Sequence, residues 1–223
     1  MEQNLDALVQ AQQAYFLSGA TRSYEFRARQ LRRLQDAIRR YEPEIMAALK
    51  QDLGKPDLEA YAGELGFVYA ELRHVLKRLM TWMRPKRVPT PLTLQPSSSF
   101  VISEPLGRVL IISPWNYPFQ LLIAPLIGAL AAGNCAVLKP SELAPHTAHV
   151  VERLIGEIFS REYVAVVQGD VEVSRALLAR KWDHIFFTGS ASVGRIVAPA
   201  AADHLTPATL ELGGKSPCIV DRE

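Results

Sequence analysis

Cysteine is scarce in this chain: Cys135 and Cys218 are the only two in 223 residues. That excludes a disulfide framework and suits a reducing compartment. An excess of one charge sign is missing as well. The 25 lysines and arginines face 23 aspartates and glutamates, leaving +2, too little to argue for a nucleic-acid partner. Long apolar runs are also absent. The longest, Leu121–Gly133, contains Pro125 and Gly128 and falls short of the roughly 18–20 residues that cross a bilayer. Glu2 and Asp6 mark the N-terminus, with no basic-then-apolar segment of a secretory signal. A soluble, cytoplasmic chain is therefore expected. With 48% apolar and 22% charged residues, the composition is that of an ordinary folded domain.

Helical periodicity opens the chain. Leu31, Leu34, Ile38, Tyr41, Ile45 and Leu49 recur every three or four residues and predict a helix from about Ser23 to Leu49. Arg29, Arg32, Arg33, Arg39 and Arg40 lie largely between them and read as a solvated face. Gly54 and Pro56 stop this helix. A second helical pattern runs from about Glu59 to Trp82. Pro85, Pro89, Pro91 and Pro96 then surround Ser97-Ser98-Ser99, excluding helix and leaving β-prone pieces at Leu92–Leu94 and Phe100–Ile102. A surface loop and a projecting β-hairpin arm both fit that composition.

From Gly107 the pattern alternates. Strands are expected at Arg108–Ile112, Cys135–Leu138, Tyr163–Val167, His184–Phe187 and a last one reaching Leu212. Helices are expected at about Phe119–Ala132, Pro145–Phe159, Val171–Ala179 and Ala191–Ala201. This order predicts an α/β fold, a mostly parallel sheet with helices on its faces.

Ligands bind such sheets beyond the carboxyl ends of the strands. Four turns there carry unusual residues. In Ser113-Pro114-Trp115-Asn116-Tyr117-Pro118, two prolines stiffen the turn that presents Asn116. A held amide can donate to an oxygen that gains negative charge, an effect worth about 3–4 kcal/mol; a turn asparagine bonding its own backbone is the plainer alternative. In Lys139-Pro140-Ser141-Glu142, the lysine and carboxylate could bracket ribose hydroxyls or simply begin a helix. In Phe187–Gly194, Gly189 allows a tight turn, and free N–H groups with the Ser190 hydroxyl face any phosphate at the helix start. In Leu210–Ser216, Glu211 sits within an apolar strand, where burial would raise its pKa toward that of a general base.

Several chemistries are excluded. Gly214-Lys215-Ser216 mimics a P-loop, but Thr209 stands where that pattern requires glycine. No tyrosine has lysine four residues later, and no Gly-x-Ser-x-Gly elbow occurs. His146 and His149 read as helix-surface residues, so no metal site is expected.

Together these segments resemble the aldehyde dehydrogenase superfamily, and its class 3 branch in particular. Leu210–Ser216 matches the glutamate active-site signature. Pro114–Pro118, Gly133-Asn134, Lys139–Glu142 and Phe187–Ser190 with Gly194 follow in family order. Ser18–Ser23 and Glu104–Gly107 are similar to class 3.

The resemblance implies a Rossmann-like cofactor domain plus a β-hairpin oligomerisation arm. Its sections are a helical one at 1–85, the arm 86–104, an NAD-binding core 105–210 and the start of a catalytic domain 211–223. It implies that Asn116 supplies an oxyanion-hole amide and that Glu211 activates the water hydrolysing an acyl-enzyme. Lys139 and Glu142 would hold the adenosine ribose, Gly189 and Ser190 the diphosphate, Val193 the adenine, and Trp115 would join them in binding the cofactor. The cofactor would be NAD, with NADP possible, the substrate a small-molecule aldehyde, and the full-length relative a homodimer.

The family's nucleophilic cysteine falls beyond Glu223. Cys135 and Cys218 are expected to be small buried hydrophobes, and the chain to be an N-terminal fragment, inactive alone. A non-catalytic dinucleotide-binding or assembly module, one half of a split enzyme, and a poorly folding remnant are the rival readings.

Overall fold

The structure, a computed structural model, describes residues 4–221. It begins with helices: α1 (Leu5–Leu17), α2 (Tyr24–Leu53), α3 (Asp57–Ala60), a π-helical turn at Tyr61–Leu65, and α4 (Gly66–Met83). A hairpin follows, β1 (Lys86–Val88) and β2 (Ser99–Val101). Then come β3 (Arg108–Ile112), α5 (Gln120–Ala132), β4 (Cys135–Lys139), α6 (Pro145–Ile158) and β5 (Val164–Val166). The described chain ends with α7 (Val171–Leu178), β6 (His184–Gly189), α8 (Ala191–Asp203), β7 (Ala208–Leu212) and residues 213–221, which carry no regular structure. No helix among the described residues is long and apolar enough to cross a membrane.

β3 to β7 form one parallel sheet in the order β5-β4-β3-β6-β7. Every residue of β3, β4 and β5 is buried, as continuous aliphatic strands covered on both sides must be. Period-two alternation divides their side chains between two cores. Val109, Ile111, Ala136 and Leu138 pack with α2, α4, α5 and α6. Leu110, Ile112, Val137 and Ala165 pack with α1, α7 and α8. The sheet thus has helices on both faces, as expected from sequence. The entrance to β3 is fixed by Asp183, whose Oδ2 accepts from the Arg108 N–H at 2.8 Å and from its Nε at 3.1 Å. Gly107, at φ +141°, is needed there, because a Cβ would collide with that carboxylate.

Helix α2 runs past the expected end to Leu53 and stops where Gly54 adopts a left-handed conformation at φ 67°. Its arginines are mostly exposed, and Arg40 pairs with Glu157 at 2.6 Å.

Three expectations need correction. Residues 86–101 do form an antiparallel hairpin, but Lys86–Val88 pairs with Ser99–Val101, and Leu92–Leu94 is a 3-10 turn. Pro91 enters that turn with a φ of −53°, which a proline supplies without strain. Cys218 is exposed, whereas Cys135 is buried in β4. Helix α1 has no counterpart among the elements expected from sequence. Its inward stripe of Leu5, Leu8 and Gln12 is broken by a polar residue, and the Gln12 Nε2 donates to the Ala136 carbonyl at 2.9 Å.

Candidate active site

The carboxyl ends of the strands gather the turns singled out above. Register sets Ile112 beside both Lys139 and Phe187, and Gly189 beside Leu212. The chain order reverses between β3 and β6, which makes a crevice beyond their ends. An open cleft of about 980 Å³ extends from there over the β6–β7 half of the sheet, on the face that carries α5. Leu121, Ala124 and Pro125 of α5 form one wall, and Phe186, Thr188, Thr209 and Glu211 form the floor.

Alternation explains the floor. Leu210 packs into the core on the α8 side, and the Leu212 side chain comes within contact of the Gly194 position. Thr209 and Glu211 therefore point to the opposite, open face. Trp115, Asn116, Gly189, Ser190 and Glu211 all line this cleft. Among the described residues, the side-chain amide of Asn116 and the carboxylate of Glu211 have no hydrogen-bond partner, so Asn116 is not spent on its own backbone.

Glu211 departs from expectation in one respect. It is exposed, because the face of β7 that carries it opens onto the cleft. The apolar neighbours along the chain do not by themselves desolvate it.

Lys139, Glu142 and Val193 do not line the cleft. Lys139 ends β4, is 2% exposed, and donates from Nζ to the Pro140 carbonyl at 2.8 Å and to Glu142 Oε2 at 3.0 Å. Partial burial pushes the Glu142 carboxyl up, but its own backbone N–H and the Lys139 ammonium outweigh this and leave it below the usual range. Val193 is exposed on the first turn of α8. Ser190 caps that helix, its hydroxyl accepting from the Val193 N–H at 3.3 Å and lying 2.8 Å from the Ser192 hydroxyl. The hydroxyl is thus engaged, while the N–H groups of Ala191 and Ser192 lack intrahelical acceptors. Gly189 is not a left-handed turn residue. It ends β6, and a Cβ there would stand 2.5 Å from the Phe187 ring, so close approach is what excludes a side chain.

Neither cysteine lines the cleft. Burial pushes the Cys135 thiol up to about 12, far from a reactive thiolate. His146 and His149 are exposed on α6, and no cluster of metal-binding side chains occurs among the described residues.

The Aldehyde dehydrogenase family model matches residues 1–223. The chain belongs to the aldehyde dehydrogenase family. It is 50% identical over 208 residues to 4,4'-diaponeurosporen-aldehyde dehydrogenase of Staphylococcus aureus, covering 93% of this chain and 45% of that protein. It is 45% identical over 223 residues to aldehyde dehydrogenase family 3 member A2 of Macaca fascicularis, covering 100% of this chain and 45% of the relative. Among solved structures, the substrate-bound state of Staphylococcus aureus AldH superposes with a TM-score of 0.94 at 47% identity, over 98% of this chain and 48% of that one. PnpE in complex with nicotinamide adenine dinucleotide superposes with a TM-score of 0.82 at 30% identity, over 95% of this chain and 43% of that one. The chain therefore spans less than half the length of these aldehyde dehydrogenases.

Sequence reading misses two residues that bear on the Asn116 turn, Lys55 and Glu64. Glu64 occupies the apolar stripe of its helix with Ala60, Leu65, Val68 and Leu72, and it is fully buried. A carboxylate on that stripe is the available signal. Lys55 follows the glycine that stops α2 and reads as no more than a member of the stop.

Proposed function

We propose that this sequence forms the cofactor-binding half of an NAD(P)-dependent aldehyde dehydrogenase that oxidises an aldehyde to a carboxylate. The observation carrying this reading is that Asn116, in the turn after β3, and Glu211, in β7 ninety-five positions later, face one cleft beside a reversal of strand order. We divide the chain into a helical section at 1–85, an arm at 86–104, a cofactor core at 105–210 and a catalytic-domain start at 211–223.

The residues fit a dinucleotide. The first turn of α8 offers N–H groups without intrahelical acceptors, which suits a diphosphate beside Gly189 and Ser190. Glu142 stays ionised and half exposed, so it can accept from ribose hydroxyls while Lys139 holds it in place. The same charge repels a 2′-phosphate, which favours NAD over NADP. Val193 is exposed and would offer an apolar surface to the adenine, and Trp115, which lines the cleft, would join in holding the cofactor. When bound, the nicotinamide ring supplies a hydride acceptor.

Asn116 donates to the aldehyde oxygen as charge develops on it, with an effect of about 3–4 kcal/mol. Glu211 takes a proton from the water that hydrolyses the acyl-enzyme. That role needs the desolvation which an open face lacks, so it is complete only when this face of the sheet is covered. The nucleophile must come from elsewhere, since Cys135 is buried in β4 and Cys218 lies off the cleft. We assign the chain to the cytoplasm because both cysteines are free. We assign the arm to homodimer formation because it exposes Leu92, Phe100, Val101 and Ile102.

Calorimetric titration of NAD into the 223-residue chain tests the reading. Binding that weakens at least about tenfold in Lys139→Ala is expected, together with no NADH from aldehyde. Absence of dinucleotide binding by a folded chain would overturn the cofactor assignment, and NADH formation would overturn the assignment of both cysteines. Turnover on mixing with the C-terminal half of a family 3 enzyme would identify half of a split enzyme.

A further inference from the structure

Behind the turn that presents Asn116 lies a buried ion pair that the proposed chemistry does not use. The Lys55 Nζ is 2.6 Å from Glu64 Oε1, with side chains 8% and 0% exposed. The same ammonium donates to the Asn116 carbonyl oxygen at 2.9 Å and sits 3.9 Å from the centre of the Tyr117 ring. The other carboxylate oxygen, Glu64 Oε2, accepts from the N–H of Phe119 at 3.0 Å and of Gln120 at 2.9 Å.

These contacts hold residues 116–120 from both ends. Helix α5 has no side-chain cap of its own, and the Glu64 carboxylate takes the place of one. It bonds two first-turn donors and sets negative charge against the positive end of the helix. The Lys55 ammonium directs its three donors toward a carboxylate, a carbonyl and an aromatic face. Glu64 reaches this position from the π-helical turn Tyr61–Leu65, a local distortion of a kind often found near functional sites. Gly63 in that turn lets Tyr117 approach, since a Cβ there would stand 3.1 Å from its Cε1.

We propose that Lys55 and Glu64 are positioning residues that fix the Asn116 turn, so that its amide is held ready for the substrate oxygen. The inference rests on the assignment of Asn116 as oxyanion donor and adds what holds it in place. A donor confers its full effect only if it is held before reaction. A buried pair is suited to that task, because displacing either partner strands a charge in the interior.

The test uses the 223-residue chain and nuclear magnetic resonance, with Lys55→Met, Glu64→Gln and the double variant. The readouts are the side-chain amide signals of Asn116 and the hydrogen exchange of the Phe119 and Gln120 amides. The indole N–H of Trp182, buried and bonded to the Leu177 carbonyl at 2.8 Å, reports the distant core. Each single variant is expected to shift and broaden the Asn116 signals, and Glu64→Gln to speed exchange of the two amides about tenfold or more. The Trp182 signal should stay in place. Unchanged Asn116 signals would overturn the proposal.

If a single variant unfolds, the double variant, which leaves no lone buried charge, is read instead by the same criteria. Unfolding of all three would mark the pair as general structural support and also overturn the proposal. Asn116→Ala in a complete, turning-over enzyme tests the oxyanion role separately. Its outcome leaves the resonance result standing, so the two failures are distinguishable.

Discussion

Strands β3 and β4 have no exposed residue, whereas β7, two places from β3 in the same sheet, exposes Ala208, Glu211 and Leu212. The first pair is packed on both sides by helices of this chain. The β6–β7 half is packed by α8 on one side and open to the cleft on the other. The comparison teaches that one half of the sheet is closed by helices of this chain on both faces, while the other keeps one face open to the cleft. The closed half has apolar contacts to lose. The open half turns Thr188, Thr209 and Glu211 toward a cleft of about 980 Å³, and Asn116 reaches the same cleft from the turn after β3.

The sharpest way to break that contrast is a pair of identical truncations. Leu138 in β4 is fully buried, whereas Leu212 in β7 is 43% exposed. Leu138→Ala should cost about 2–5 kcal/mol, combining lost transfer energy with a cavity. Leu212→Ala should cost less than about 1 kcal/mol, since much of its surface is already in water. Urea unfolding of both variants checks this. Equal losses would mean that the open half is as tightly built as the closed one.

The same contrast governs what sequence can tell. The aliphatic runs at Arg108–Ile112 and Cys135–Lys139 announce buried strands because their burial on both faces makes them apolar throughout. The long α2 is legible because its stripe from Leu31 to Leu49 keeps helical period. Helix α1 is not, since Gln12 interrupts its stripe to bond a carbonyl 124 residues away. The candidate site is legible as turns beyond strands, but not as an environment. Glu211 has apolar neighbours in sequence and yet is exposed, because burial depends on what lies across the sheet. Lys55 and Glu64 escape notice because a pair separated by nine positions reveals its purpose only when the turn at Asn116 is folded against it.

A smaller effect separates two roles of Ser190. Its hydroxyl caps α8 through the Val193 N–H. Ser190→Ala should therefore cost about 1 kcal/mol, and Ser190→Gly only a few tenths, because glycine is itself tolerated at this position. Measured beside NAD affinity, the pair sharpens the comparison. If both substitutions weaken binding alike while only alanine lowers stability, the hydroxyl serves the ligand as well as the helix. If affinity follows stability, its role is capping alone.

The smallest expected effect concerns His184, at the inner end of the open half. Its Nε2 lies 3.2 Å from the Thr209 hydroxyl, and its buried Nδ1 has no hydrogen-bond partner among the described residues. Burial holds the imidazole below the ordinary value of 6.5. The unfolded chain therefore takes up its proton first as pH falls. The contribution of neutral His184 is full above the unfolded value and is lost as pH drops from there through the lowered folded value. Urea midpoints at about pH 7.5 and about pH 5.5, on either side of the ordinary histidine range, should fall more for the wild type than for His184→Gln. The difference should be modest, since the residue is only partly buried. Identical slopes would mean that water reaches this ring freely through the cleft that His184 helps to line.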